Sequence, residues 1–536
     1  MPSWAEGKDA EAVAAKLSAA ATAAIDWAAR NGVAFDQRKT EAALFSRRRK
    51  AAPEAAVTVG DNTVPFNKEA TRWLGIWLDS QLTLREHHAT RLKNGRNALT
   101  RLRRLAGQLG LSPVNCRKVM TACIQSVAMF GAELWWKGEG ARGTVGRAEE
   151  IQLLVNKQAR ATTGAFRTTN LGALSMESGL RPAANQLENR QRRFGLRLLS
   201  LPQGDRAREV VSAQTAIGNR LATALNYTWT ATEETILLEE PEIFDAEIIQ
   251  EEREEAKKEA EKVRPGLVMF TDGSRLESGA AGYAVAWKNG QTWKGIKTHL
   301  GYNQEAFDAE CAALARALES AWRRNTTPER ITIFTDAQAA IRRMASDEPG
   351  PGQKYALEAR EHITALRRAM PGIVIEVRWC PAHEGVEGNE KADEWAKLAA
   401  DEPDARGVEG LEWLTNSDRP EARSMPLPRS LANIKREIAE KKWAEARKSA
   451  GGRTSKKKYK MPESQRPDGA VAGSTKRLAS RFYQRKTGHC RTGQYLHWVK
   501  VRPTAQCWWC RCPTQTRDHL LKGCPKWKGQ QRTLWK

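Results

Sequence analysis

Leu267-Val268-Met269-Phe270-Thr271-Asp272-Gly273-Ser274 is the stretch from which the fold is read. Leu267–Phe270 is a short apolar run that stops at Thr271-Asp272-Gly273-Ser274, the pattern of a buried strand ending at an acid. Tyr283–Trp287 reads as a second strand. Lys288-Asn289-Gly290 is a hairpin-turn signal, and Thr292–Thr298 is the returning strand. Phe307, Cys311, Leu314 and Leu318 fall at helical spacing, so Glu305–Arg324 is predicted to be an amphipathic helix. Ile331–Phe334 is a fourth strand stopping at Thr335-Asp336, and a helix follows. Ile373, Ile375, Val377 and Trp379 alternate in a fifth strand, and the last helix covers Asn389–Ala400. Three antiparallel strands, then strands joined through helices, predict an α/β fold with a mixed five-stranded sheet and flanking helices.

Four acids fall at telling places in this pattern. Asp272 is expected at the end of the first strand and Asp336 at the end of the fourth. If those strands are parallel neighbours, both carboxylates emerge at one edge. Glu310 lies in the first turns of its helix, beside Phe307 and Cys311, and Asp393 lies early in the last helix. Each acid alone has a plain reading: a strand-ending Asp makes a turn, and a helical Glu is solvated. Together they can converge, and clustered carboxylates repel unless a cation neutralises them. Hard oxygen ligands favour Mg²⁺ or Mn²⁺. Two such ions held close together can activate water and stabilise the leaving oxygen of a phosphodiester.

The segments Phe270-Thr-Asp-Gly-Ser274, Asp308-Ala-Glu-Cys311, Phe334-Thr-Asp-Ala-Gln338 and Trp379-Cys-Pro-Ala-His-Glu-Gly-Val-Glu-Gly-Asn-Glu-Lys-Ala-Asp393 resemble a type 1 ribonuclease H over residues 266–402. The resemblance implies a metal-dependent cut in the RNA strand of an RNA–DNA hybrid. Asp272, Glu310, Asp336 and Asp393 would hold two ions, and His383 would assist water or product movement by proton transfer. Departures from the family pattern are Ala337 after Asp336, and Ala306 with Phe307 where cellular members read the hybrid's minor groove. No basic, Trp-rich protrusion interrupts 353–370. Two rivals share these features: a nucleic-acid-binding remnant without turnover, and a transposase or integrase core. The His383-to-Asp393 segment argues against the second.

Outside this region the chain of 536 residues is long enough for about three or four domains. No apolar run reaches the ~18 residues of a membrane helix, so no membrane partner is expected. The N-terminus lacks a signal-peptide layout. Nine Cys in a chain of this length suit a reducing, intracellular site; the basic run Arg453–Lys460 puts the nucleus foremost and the cytoplasm second. The net charge of +24 is uneven: residues 421–536 hold 29 Lys+Arg against 7 Asp+Glu, a local excess of +22. Such a field suits a polyanion, most simply nucleic acid, or else a solvated tail.

Phe35-Asp-Gln-Arg-Lys39-Thr40-Glu41, Trp73-Leu-Gly-Ile-Trp-Leu-Asp79 and the helical pattern over 83–136 resemble the tail of a non-LTR retrotransposon reverse transcriptase. By periodicity alone 71–79 reads as one strand; the resemblance implies a primer-grip strand pair. It assigns 1–80 to a palm and primer-grip remnant and 81–225 to a mostly helical thumb-like region. Residues 226–265 read as a charged, solvated helical linker, and 403–480 as a basic, partly disordered one. No Asp-Asp dipeptide occurs, so no DNA synthesis is expected from this chain alone. A fragment or truncated copy of a longer polyprotein is expected, with other retroelement-encoded chains as potential partners.

The last segment, 481–536, contains Cys507-x2-Cys510-x8-His519-x4-Cys524, a ligand set for tetrahedral Zn²⁺, with Cys512 as an alternative and free thiols as the plain reading. Similar Cys/His clusters close many non-LTR retrotransposon polyproteins. Trp508 and Trp509, interleaved with Arg and Lys, suit stacking on bases; they could equally pack a zinc-stapled core. Lys456, Lys457 and Lys458 read as phosphate-binding charge or a nuclear address.

Overall fold

The structure, a computed structural model, describes residues 3–46, 54–108, 110–199, 201, 205–212, 242–324, 328–348, 350–401, 429–451, 459, 461–462, 466 and 468–534. The chain divides into two compact units, Met1–Arg190 with Trp443–Lys536, and Gln191–Lys442.

The second unit is built on a six-stranded mixed sheet. Its elements are β1 (Glu247–Ile249), α1 (Arg253–Glu261), β2 (Leu267–Arg275), β3 (Ala281–Asn289), β4 (Thr292–Gly301), α2 (Ala306–Trp322), β5 (Arg330–Thr335), α3 (Gln338–Met344), α4 (Gln353–Ala369), β6 (Val374–Trp379) and α5 (Glu387–Asp401). The spatial order is β1-β6-β5-β2-β3-β4. The first four strands of that order run parallel, and β2, β3 and β4 pair antiparallel. A two-residue loop led by Gly290 (φ +63°) joins β3 to β4, as the Asn-Gly signal predicts.

Alternation along the strands builds two cores. Met269, Ile331, Ile333, Ile375 and Val377 meet α2, α3 and α4. Phe270, Phe334, Ala284 and Ala286 meet Ala392, Trp395 and Ala396 of α5. Phe270 stacks on Phe334 at 5.1 Å between centroids. The helix α2 buries Ala309, Ala312, Ala313, Ala317 and Ala321, small residues that let its axis approach the sheet closely.

Two expectations change here. The sheet has six strands rather than five, because Glu247–Ile249, read as solvated helical linker, pairs parallel with β6. Main-chain bonding to an open edge outweighs the charge of the segment, and the charges are themselves matched. Arg367 bonds Asp245 at 2.9 Å, Arg378 bonds Glu251 at 3.3 Å, and Arg360 donates to the Glu242 carbonyl at 3.1 Å. The following α1 is helical as expected, but it is packed rather than solvated, with Ala256 and Ala260 buried. The second change concerns Asp272, expected at a strand end. Pairing of β2 with β5 stops at Thr271–Thr335, yet β2 continues antiparallel to β3 from Asp272–Ala284 to Arg275–Ala281.

In the first unit, Ala10–Arg30 is capped by Asp9 and packs on the hairpin Ala56–Val59/Asn62–Pro65. Residues 71–79 form a strand pair, Thr71–Trp73 and Ile76–Leu78, turning at Leu74 and Gly75. A helical core around Trp136, Ile124, Ile151 and Leu187 follows. The C-terminal segment belongs to this unit. Tyr495 stacks on Phe166 at 5.2 Å, and Glu177 takes hydrogen bonds from Tyr459 (2.6 Å) and Lys486 (3.1 Å). Of residues 403–480, expected to be a partly disordered linker, the described part includes the helix Leu431–Gly451, which buries Ala446 and Ala450, and the start of the helix Lys476–Lys486, which buries Ala479 and Tyr483. Spaced apolar residues are enough to seat a helix against a partner even in a basic stretch. Residues 402–428, and Lys456, Lys457 and Lys458, lie outside the described residues. Among the described residues, no helix is long and apolar enough to cross a membrane.

Candidate active site and Cys/His centre

Asp272 and Asp336 are brought together by register. Phe270 sits opposite Phe334 and Thr271 opposite Thr335, so the two acids come next, Asp272 within β2 and Asp336 just past the end of β5. Glu310 reaches them because residue 273 is glycine. A Cβ there would lie 2.3 Å from the Glu310 nitrogen and 2.5 Å from the Ala309 carbonyl carbon. On the other side, a Cβ at Gly388 would lie 2.2 Å from the Phe270 ring, so glycine lets the start of α5 close on β2. Carboxylate oxygens of Asp272, Glu310 and Asp336 all lie within 4.8 Å of one another.

The electrostatics are those of an anionic cluster partly withdrawn from water. Burial, then the charges of Asp336 and Asp393, push the Asp272 carboxyl up to about 8, while the Gly273 N–H and Lys397 pull it down. Burial and the charges of Asp272 and Asp336 raise Glu310 well above the usual carboxylate range. Asp336 is raised by burial, with the Asn389 hydrogen bond and His383 working against it. Glu310 Oε2 is buried without a hydrogen-bond partner. An oxygen-only donor set holding an orphaned lone pair suits a hard divalent cation.

Asp393 stands outside the three-acid group. Its Oδ2 accepts a hydrogen bond from Lys397 Nζ at 2.6 Å, one turn along α5, though its charge still acts on Asp272 and Asp336. His383 is exposed in the loop before α5, in the left-handed region (φ +55°), and its charge acts on Asp336.

Three further residues shape the site. Asn389 is buried and donates to Asp336 Oδ2 at 3.5 Å, Cys380 Sγ donates to Asn389 Oδ1 at 3.4 Å, and Trp379 Nε1 donates to the Asp336 carbonyl at 3.0 Å. All lie in the Trp379–Asp393 motif, but reading its His and Asp alone assigns them no work. Asp308 is fully buried and lifted to about 6, chiefly by burial. It caps α2 through the Glu305 N–H and accepts a 2.5 Å hydrogen bond from Ser430.

In the C-terminal segment Cys507, Cys510, His519 and Cys524 present ligand atoms within 4.8 Å of one another. Cys507 and Cys524 sulfurs are 3.9 Å apart, and Cys510 Sγ is 3.2 Å from His519 Nε2. A tetrahedron with ~2.3 Å metal–sulfur bonds places sulfurs roughly 3.8 Å apart, so the set fits Zn²⁺. Burial opposes ionisation of Cys507, but the N–H groups of Cys510 and Trp509, with Gln515 and His519, bring it down to about 6. Cys512 is not in the group; its thiol faces the Thr514 carbonyl at 4.0 Å. Trp508 and Trp509 are 43% and 44% exposed, which opposes the packed-core reading for both. Arg502 lies 4.6 Å over Trp508, and Trp509 meets Trp527 edge-on.

Residues 264–401 match the family model described as RNase H. Among solved structures, the N-terminal RNase H domain of a Mycobacterium tuberculosis protein fused to maltose-binding protein is 21% identical, covering 25% of this chain and 98% of that one, with a TM-score of 0.21. RNase H1 from Halobacterium salinarum is 22% identical over 25% of this chain and 96% of that one, TM-score 0.20. The foamy viral protease–reverse transcriptase in complex with RNA/DNA hybrid is 16% identical over 36% of this chain and 28% of that one, TM-score 0.22. A search of curated proteins gives no match. Residues 264–401 of this chain are an RNase H domain.

Proposed function

We propose that this domain hydrolyses the RNA strand of RNA–DNA hybrids in a reaction dependent on Mg²⁺ or Mn²⁺. The observation that carries the reading is the three-acid cluster, with Asp272 buried and Glu310 and Asp336 half-buried, mutually repelling and holding an unpartnered Glu310 oxygen. Asp272, Glu310 and Asp336 would hold the ions, with Asp393 at the rim. Bound divalent ions supply water activation and charge stabilisation at the scissile phosphate. The chain's own residues do the rest. Asn389 and Trp379 orient Asp336, Gly273 admits Glu310, and His383 offers an exposed imidazole beside Asp336 for proton movement.

The basic C-terminal region would bind nucleic acid, with Trp508 as an exposed stacking face and Cys507, Cys510, His519 and Cys524 holding structural Zn²⁺. A retroelement origin, absence of polymerase activity from this chain alone and a nuclear location complete the reading. The test is cleavage of a hybrid labelled on either strand. Wild type cuts RNA only, and Asp336→Asn abolishes cutting while binding is kept. Cutting of plain duplex DNA would move the domain to the transposase class. Binding without cutting at any Mg²⁺ or Mn²⁺ concentration would make it a non-catalytic remnant.

A further inference from the structure

The fourth acid poses a question that the three-acid cluster does not answer. Asp393 is close enough for its charge to raise Asp272 and Asp336, yet its carboxylate is turned to Lys397. Lys397 is itself near the cluster, since its charge lowers Asp272. The neighbouring ammonium, Lys391, is engaged elsewhere, 2.7 Å from Glu394. One positive group therefore stands on Asp393 at the rim of an anionic site. Lys397 is 53% exposed, so its ammonium can leave into water without dragging packed structure with it.

We propose that Lys397 is a resident counter-cation on Asp393, holding the fourth carboxylate out of the metal-binding group until a second divalent ion displaces it. This rests on the metal-dependent reading above. Its consequence is ordered loading. The first ion meets three acids already assembled, whereas the second must break the 2.6 Å contact between Lys397 and Asp393 before it gains a ligand. Lys397 is thus a positioning residue: it sets the difference in affinity between the two ions and bonds neither.

The experiment is Mn²⁺ binding to the full, zinc-loaded chain without nucleic acid, followed by the electron paramagnetic resonance of free Mn²⁺. Wild type, Lys397→Met, Lys397→Arg and Asp272→Asn are compared. Wild type is expected to take one ion at lower concentration than a second. Lys397→Met removes the competing charge but keeps the apolar stem. It should tighten the second site roughly two- to fivefold, the worth of an exposed ion pair one helical turn apart, and leave the first nearly unchanged. Lys397→Arg should behave as wild type. An unchanged or weaker second site in Lys397→Met, with folding verified by its melting curve, overturns the inference and makes the pair an ordinary surface contact. The underlying reading fails separately: its sign would be a wild type that binds no Mn²⁺ sensitive to Asp272→Asn.

Discussion

Removing a buried acid from this domain should stabilise it when no divalent cation is present. Asp272 is the sharpest case. Its carboxyl moves from an ordinary 3.8 to about 8, and at ~1.4 kcal/mol per unit the ceiling on the cost of ionising it is about 6 kcal/mol. The largest cause is burial, and an amide keeps part of that penalty, so Asp272→Asn should recover ~1–3 kcal/mol at pH 8. For a unit of this size that is a rise in Tm of roughly 3–10 °C. The sign follows from proton counting. Between pH 4 and pH 8 the folded chain holds a proton that the unfolded chain has released, so wild-type stability falls as pH rises across that window. The gain from Asp272→Asn should therefore shrink at pH 5. Added Mg²⁺ should raise the wild-type Tm at pH 8 and leave the variant unmoved, while hydrolysis is lost in the variant throughout. Melting curves at pH 5 and pH 8, with and without Mg²⁺, read all of this. A variant less stable than wild type at pH 8 without Mg²⁺ would refute the picture of a strained anionic cluster.

Gly273→Ala puts a methyl 2.3 Å from the Glu310 nitrogen, so α2 must retreat; a loss of ~2–4 kcal/mol in denaturant melts and of Mn²⁺ affinity is expected. Ser430→Ala leaves the buried Asp308 carboxylate without its hydroxyl donor and should cost ~1–3 kcal/mol at pH 8 but less at pH 5, where Asp308, lifted to about 6, is already protonated. The double change Cys507→Ser with Cys510→Ser should release about one equivalent of zinc, read by metal analysis, since both thiols belong to the four-ligand group. Nucleic-acid affinity should fall steeply as salt rises, and a flat response would mean the +22 excess in residues 421–536 does not meet phosphates.

Much of the RNase H domain is legible in the sequence. Asp272 and Asp336 follow matching Phe-Thr dipeptides, and an equal offset from paired phenylalanines places two side chains side by side on parallel strands. Glu310 was legible from helical spacing, although the permission it needs comes from Gly273 on another element. What stayed hidden was interaction-dependent. Glu247-Ile248-Ile249 has too few apolar residues to announce a strand, and becomes one because β6 offers an unpaired edge. Asp393 occupies the expected turn of α5, but that Lys397 captures it is a choice between two helix-spaced partners and a cation. Ser430 looks like linker, and its value appears only once Asp308 is seen to be buried beneath it. Cys507, Cys510, His519 and Cys524 were legible by spacing, while the seating of Tyr495 on Phe166 depends on residues far apart in the chain.

The short strand β1 carries a practical lesson. It precedes the family boundary at residue 264, yet it is what covers the outer side of β6. Anyone excising 264–401 for assay would bare a row of unbonded amides and carbonyls flanked by Val374, Ile375 and Val377, an invitation to intermolecular strand pairing. Turbid preparations of such a fragment would then report a missing selvedge rather than a faulty fold, and beginning the fragment at residue 242 should clear them.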